Sequence, residues 1–164
     1  MKNVSTIHNC YGCGVCAVSC GKKIINIRLN EDGFYAPYID EPEKCMECGI
    51  CLDVCAFNHK ERALKPEEVQ IKSWAAWSND EAVRRKCSSG GIGFEIGKQL
   101  IEQGFHAVGC RYDINEQRAE HYIATTVEEF VQSIGSKYIQ SYTEEAFKLI
   151  KRKGQKYLII GTPC

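Results

Sequence analysis

Cysteine recurs twice at one spacing, first as Cys10, Cys13, Cys16 and Cys20 and again as Cys45, Cys48, Cys51 and Cys55, using eight of the chain's eleven cysteines. Three thiolates at every third position of a short loop grip one face of an iron–sulfur cube while the chain turns around it. A fourth, beyond a three-residue spacer, points away from that loop and, in two-cluster proteins, ligates the other cluster. The resulting assignment is Cys10, Cys13, Cys16 and Cys55 on one 4Fe-4S cluster and Cys45, Cys48, Cys51 and Cys20 on the second, so each repeat needs the other. Two other chemistries stay open below this one. Structural zinc sites pair two C-x-x-C knuckles across a longer spacer, whereas a third cysteine follows each knuckle at once here. A disulfide framework needs an oxidising compartment, yet the stretch from Met1 to His8 has no apolar run long enough for a secretion signal. Gly12, Gly14 and Gly49 fall where the backbone must turn tightly and present N–H groups to sulfur.

The elements that must hold these loops are short. Ile24 to Leu29, Asn30-Glu31-Asp32-Gly33 and Phe34 to Ile39 read as a β-hairpin with an Asp-Gly turn, Pro37 making the second strand an edge. Such a hairpin is expected to cover one cluster with Ile and Tyr side chains and exclude water. The runs after Cys16 and Cys51 read as single helical turns. This segment, over about residues 5–60, resembles the bacterial-type two-cluster ferredoxin domain. It departs where that domain usually has Pro after each fourth cysteine: here stand Gly21 and Ala56. Ligation is still expected, while the reduction potential does not follow from the spacing.

Cysteine is dense to Cys55 and then limited to Cys87, Cys110 and Cys164, which divides the 164 residues into two small domains rather than one. The first has few apolar residues for its length, so metal ligation is expected to supply much of its folding free energy. Net charge is zero, and the halves balance as well, with 8 basic against 8 acidic residues before Pro66 and 13 against 13 after it. No basic patch marks a nucleic-acid partner; Arg84-Arg85-Lys86 and Lys151-Arg152-Lys153 read as solvated helix faces. Each oxidised cluster with four thiolates carries about −2, which makes the loaded N-terminal domain acidic. No apolar run approaches the length of a membrane span. A cytoplasmic, reducing compartment is expected.

Polar residues with Pro66 form the expected linker at 63–72. Beyond it, Ser73 to Trp77 is a strand candidate, with Trp74 and Trp77 expected in the core, and Ile92, Phe94, Ile96, Leu100 and Ile101 give helical periodicity ending at Gly104. Strands follow at Ala107 to Tyr112 and His121 to Ala124, Cys110 being expected as a buried small hydrophobe. Thr126-x-x-Glu129 has capping-box spacing, and Thr143 to Lys153 reads as a helix stopped by Gly154. Tyr157 to Ile160 is wholly apolar, as expected of a strand buried on both faces of a parallel sheet. The fold class read from this pattern is α+β: a ferredoxin-like two-cluster domain at 1–62, the linker, and a partial, truncated α/β domain at 73–164.

Three motifs mark the second half. Cys87-Ser88-Ser89-Gly90-Gly91-x-Gly93 opens the first long helix, where hydroxyls and free N–H groups hold a phosphate or, more simply, an N-cap and Gly-rich turn pack on a strand. Gly135-Ser136-Lys137-Tyr138-Ile139-Gln140-Ser141 and Gly161-Thr162-Pro163-Cys164 complete the set. In that order and rough spacing they resemble the N-terminal part of the coenzyme F-420 hydrogenase/dehydrogenase β-subunit family, which also occurs fused to ferredoxin domains in bacterial proteins associated with polysaccharide biosynthesis. The resemblance implies an iron–sulfur flavoprotein passing electrons between 4Fe-4S clusters, FAD and a deazaflavin or other acceptor. It implies Ser88, Ser89, Gly90, Gly91, Ser136 and Lys137 at the flavin or coenzyme cleft, and Cys164 as a further cluster ligand or redox thiol. The family's larger C-terminal part has no counterpart here, so a complete FAD site is not expected in this chain alone. The leading expectation is an electron-transfer protein whose partner is a redox protein or the remainder of a flavin-dependent oxidoreductase, with neither nucleic acid nor membrane span. A complete FAD-dependent F-420 oxidoreductase and a non-redox module stapled by clusters are the alternatives.

Overall fold

The computed structural model describes residues 3–8, 10–59, 61, 72–150 and 154–161. The chain divides into two compact units, Met1–Ser73 and Trp74–Cys164.

In the first unit, a 3-10 turn at Val4–Thr6 is followed by α1 (Val15–Ser19), β1 (Ile25–Leu29), β2 (Tyr35–Ile39) and α2 (Ile50–Asp53), with further 3-10 turns at Pro42–Lys44 and Ala56–Asn58. Apolar residues alternate along β1, so Ile25 and Ile27 are buried with Ile24 while Asn26 and Arg28 face the other way. The outward pair meets Asp40: Asn26 donates to it, and Arg28 lies 2.6 Å from its carboxylate. β1 and β2 pair antiparallel from Ile25↔Ile39 to Leu29↔Tyr35. The connection is longer than an Asp-Gly two-residue turn. Gly33 N–H donates to the Asn30 carbonyl at 3.0 Å, Asn30 N–H to the Phe34 carbonyl at 2.8 Å, and Gly33 carries the left-handed φ of 79° that such a bulged turn requires. The Asn30 side chain accepts from the N–H groups of Asp32 and Phe34, closing the loop from inside. Tyr38, expected over a cluster, is 53% exposed and lies under the Arg28 guanidinium instead.

The second unit runs α3 (Glu81–Lys86), α4 (Ile92–Glu102), β3 (His106–Asp113), β4 (Arg118–Ala124), α5 (Val127–Phe130), a 3-10 turn at Val131–Ser133, α6 (Glu144–Leu149) and β5 (Tyr157–Ile159). Its sheet is mixed, in the order β4-β3-β5: β3 and β4 form an antiparallel pair and β5 lies parallel to β3. The core centres on Phe130, whose ring stacks on Phe94 at 5.6 Å. The ring fits only because glycines face it. A Cβ at Gly97 on α4 would fall 2.2 Å from Phe130, and one at Gly109 on β3 would meet it at 3.3 Å.

Several local readings change. Residues 73–77 form no strand, and Trp74 and Trp77 are 84% and 61% exposed rather than core, because the sheet begins only at β3 and leaves them no face to bury. Among the described residues β5 is an edge strand with Ile159 exposed, so its apolar run has a strand neighbour on one side only there. The helix after Thr143 extends over Glu144–Leu149, and Lys151, Arg152 and Lys153 lie outside the described residues, as does Pro66 of the linker. Thr126 caps α5 as its spacing foretold, but the Glu129 carboxylate reaches one residue further back, accepting from Thr125 N–H at 2.7 Å.

Candidate functional sites

Both cysteine repeats follow one backbone path. Gly14 and Gly49 take φ of 76° and 77°, and two residues earlier Gly12 and Glu47 take 66° and 50°. Each loop therefore turns twice through the left-handed region before entering the helical turn that carries the buried Cys16 or Cys51. Glu47 holds without glycine a conformation that costs a side chain about 1 kcal/mol.

A cavity of about 290 Å³ is lined by Cys20, Cys45, Cys48 and Cys51, with Ile24, Ile25 and Ile39 of the hairpin on its walls. The fourth cysteine of the first repeat thus stands with the first three of the second. On the other side, Cys10 feels the charges of Cys13 and Cys55, and Cys16 those of Cys13 and Cys10. Burial pushes the Cys16 thiol up to about 12, with Cys13 and Cys10 adding to it, and burial likewise raises Cys10 and Cys51. At neutral pH such thiols stay protonated until a cation pays their desolvation. Hydrogen-bond donors aimed at sulfur oppose that penalty. Gly12 N–H lies 3.3 Å from Cys10 Sγ and the Asn3 amide 3.7 Å from Cys45 Sγ, and the Val4 backbone opposes the burial of Cys51 by lowering its pKa. Among the described residues no group of three or more His, Cys, Asp and Glu converges on a single ion position. A cubic cluster needs its sulfurs spread around it rather than converged. Donor chemistry, enclosure and repeated loop geometry all fit 4Fe-4S clusters.

In the second unit the structure joins two of the sequence motifs. Ser136 N–H donates to Ser88 Oγ at 2.8 Å, across 48 residues of sequence. Gly90 lies against the backbone of the preceding segment: a Cβ there would fall 2.6 Å from the Ala76 carbonyl, and Ser78 N–H donates to the Gly90 carbonyl at 2.6 Å. Gly91 caps α4 at φ 81°, and Ser89 is exposed beside it. Lys137 directs its ammonium at the carbonyls of Gln132, Ser133 and Ile134, at 3.0–3.3 Å, and burial lowers its pKa. Cys164 lies outside the described residues.

The model of the 4Fe-4S dicluster domain matches residues 9–59, and that of the coenzyme F420 hydrogenase/dehydrogenase beta subunit N-terminal region matches residues 73–158. The chain belongs to the coenzyme F420 hydrogenase/dehydrogenase beta-subunit family. No curated protein matches it. The family's N-terminal region is here preceded by an iron–sulfur domain, and together they make the chain an iron–sulfur electron-transfer protein.

Within this F420 hydrogenase/dehydrogenase beta-subunit region, the sequence reading missed a connected chain of polar groups. Cys110 and His121 are partners in the β3–β4 register. The Cys110 thiol lies 3.4 Å from Ser141 Oγ, Ser141 Oγ 2.7 Å from His121 Nδ1, and His121 Nε2 3.2 Å from the Ile160 carbonyl. A carbonyl only accepts, so Nε2 carries the proton, Nδ1 accepts from Ser141, and Ser141 accepts from the thiol. Burial holds His121 below the usual imidazole range, keeping it neutral. Cys110 is accordingly a half-buried hydrogen-bonding thiol rather than a small hydrophobe. Only His121 amid apolar strand residues, with Ser141 ending the second motif, signalled this in the sequence.

Proposed function

We propose that the chain relays single electrons through two 4Fe-4S clusters, held by Cys10, Cys13, Cys16 and Cys55 and by Cys45, Cys48, Cys51 and Cys20, to or from a flavin-dependent oxidoreductase. The observation that carries the reading is the cavity that Cys20 shares with Cys45, Cys48 and Cys51. Bound there, 4Fe-4S clusters supply reversible one-electron chemistry. The protein's part is placement, exclusion of water and electrostatics, with no general acid or base required. Ile24, Ile25 and Ile39 wall the second site, and N–H donors from Gly12 and Asn3 offset negative charge on sulfur.

The F420-related unit is the side toward the flavin protein. On this reading residues 88–91 and 135–137 form one wall of a flavin or coenzyme cleft. Ser88 and Lys137 position loops, since the Ser88 hydroxyl already accepts from Ser136 and the Lys137 ammonium already serves three carbonyls. Ser89 and Ser136 supply the exposed surface itself, and Gly90 and Gly91 let the loop beneath them pack closely. Cys164 follows the last motif as a further ligand or redox thiol.

Anaerobic reconstitution followed by iron, sulfide and flavin assays tests this. About eight irons and eight sulfides per chain, reducible by dithionite, are expected. Bound zinc, or clusters that dithionite leaves oxidised, would defeat the relay. Stoichiometric FAD with turnover of a deazaflavin would make the chain a complete oxidoreductase instead.

A further inference from the structure

Asn3 is a polar side chain at 1% exposure, and both ends of its amide have a definite task. Its Oδ1 accepts from Ser5 N–H at 3.0 Å and from the Ser5 hydroxyl at 2.7 Å, capping the 3-10 turn Val4–Thr6. A backbone N–H requires an acceptor, so that end is oxygen and the opposite end carries the amide hydrogens. Those hydrogens face Cys45 Sγ at 3.7 Å, within hydrogen-bond reach of an atom as large as sulfur. Asn3 also lines the cavity bounded by Cys20, Cys45, Cys48 and Cys51. One short turn therefore aims a donor at a sulfur of this set. Repeat symmetry does not generate this arrangement, because the turn precedes the first repeat and serves the ligands of the second.

We propose that Asn3 is a positioning residue that raises the reduction potential of the second cluster and sets it apart from the first. A donor on a ligand sulfur stabilises the reduced cluster, which bears one more negative charge, more than the oxidised one. The inference rests on the two-cluster reading above, and the test separates the two.

The full chain and its Asn3→Asp and Asn3→Ala variants are reconstituted anaerobically and titrated by EPR-monitored redox potentiometry. Asp keeps an oxygen to cap Ser5 and replaces the donor with an acceptor, whereas Ala loses both. Asn3→Asp is expected to lower the reduced-to-oxidised ratio of one cluster about tenfold at fixed ambient potential, a shift of about 59 mV for one electron. The other cluster should not move. Asn3→Ala should shift the same cluster in the same direction by less. A full complement of iron with both potentials unmoved, or both moved equally, overturns the role of Asn3. An iron content in the unmodified chain well short of eight overturns the two-cluster reading itself.

Discussion

The two units solve the problem of placing chemical groups in opposite ways. In the first, the position of each thiol is decided within about ten residues, by left-handed turns at Gly12, Gly14, Glu47 and Gly49 that lead into α1 and α2. In the second, the contacts that join its motifs and fill its core link distant segments: Ser88 with Ser136, Cys110 with Ser141, His121 with Ile160, and Phe130 with Gly97 and Gly109. Local encoding leaves little to hold the first unit together except its ligands. Its buried apolar residues are few and small, chiefly Val4, Ala17 and three isoleucines. The second unit stands on a continuous core of Ile101, Ala107, Tyr122, Ala124 and Phe130.

The sharpest way to break this contrast is to remove iron. Chelation is expected to release the amides of β1 and β2 to full hydrogen exchange, since ligation in small metal domains supplies on the order of 10 kcal/mol, while β3 and β4 stay protected. Persistent protection of the hairpin in the iron-free chain would sink the claim that ligands hold the first unit. The converse change is Gly97→Ala. Its methyl group would enter the Phe130 ring, and overpacking of that kind costs about 3 kcal/mol. Denaturant unfolding of the second unit should move to lower concentration with iron content unchanged; no shift would mean that the ring slides aside freely.

A smaller effect is expected at Glu120, a buried carboxylate held by Arg111 at 2.9 Å and Arg118 at 3.1 Å. Glu120→Gln should cost the second unit about 2 kcal/mol, the range for hydrogen bonds to charged groups, and should leave cluster potentials alone. The mildest probe is pH. His121 is depressed by burial below 6.5, against the opposing hydrogen bond to Ile160, so above pH 6.5 folded and unfolded forms are both neutral there and its stabilising contribution is complete. As pH falls below 6.5 the unfolded form takes up a proton that the folded form refuses, and stability is lost progressively. Exchange rates of β4 amides between pH 7.5 and 5 measure this, and His121→Gln should flatten the profile; a profile that stays equally steep would assign the loss to other groups.

Legibility in the sequence followed the same division. The hairpin, α4, β3 and β4 were readable because alternation, helical periodicity and Gly104 are local signals, and the cysteine spacing is what the proposed grouping of thiols rests on. Trp74 and Trp77 misled because size and apolarity say nothing of whether a partner face exists. The apolar run at β5 misled similarly, since a strand's neighbours are set by topology. Asn3 was invisible for another reason: a single Asn near a terminus has no pattern, and its significance lies wholly in what Ser5 and Cys45 do to either end of its amide.

The sheet of the second unit has unlike borders. On the β4 side Tyr142 pairs with the backbone, its N–H donating to Ala119 and its carbonyl accepting from His121, so that rim is stitched shut. On the β5 side Ile159 stands 55% exposed at a rim where, among the described residues, β5 pairs with β3 alone. Among the described residues the β5 rim is therefore the more open of the two, and an added strand would meet no backbone partner already in place there as it would beside Tyr142. Ile159→Lys would guard that rim.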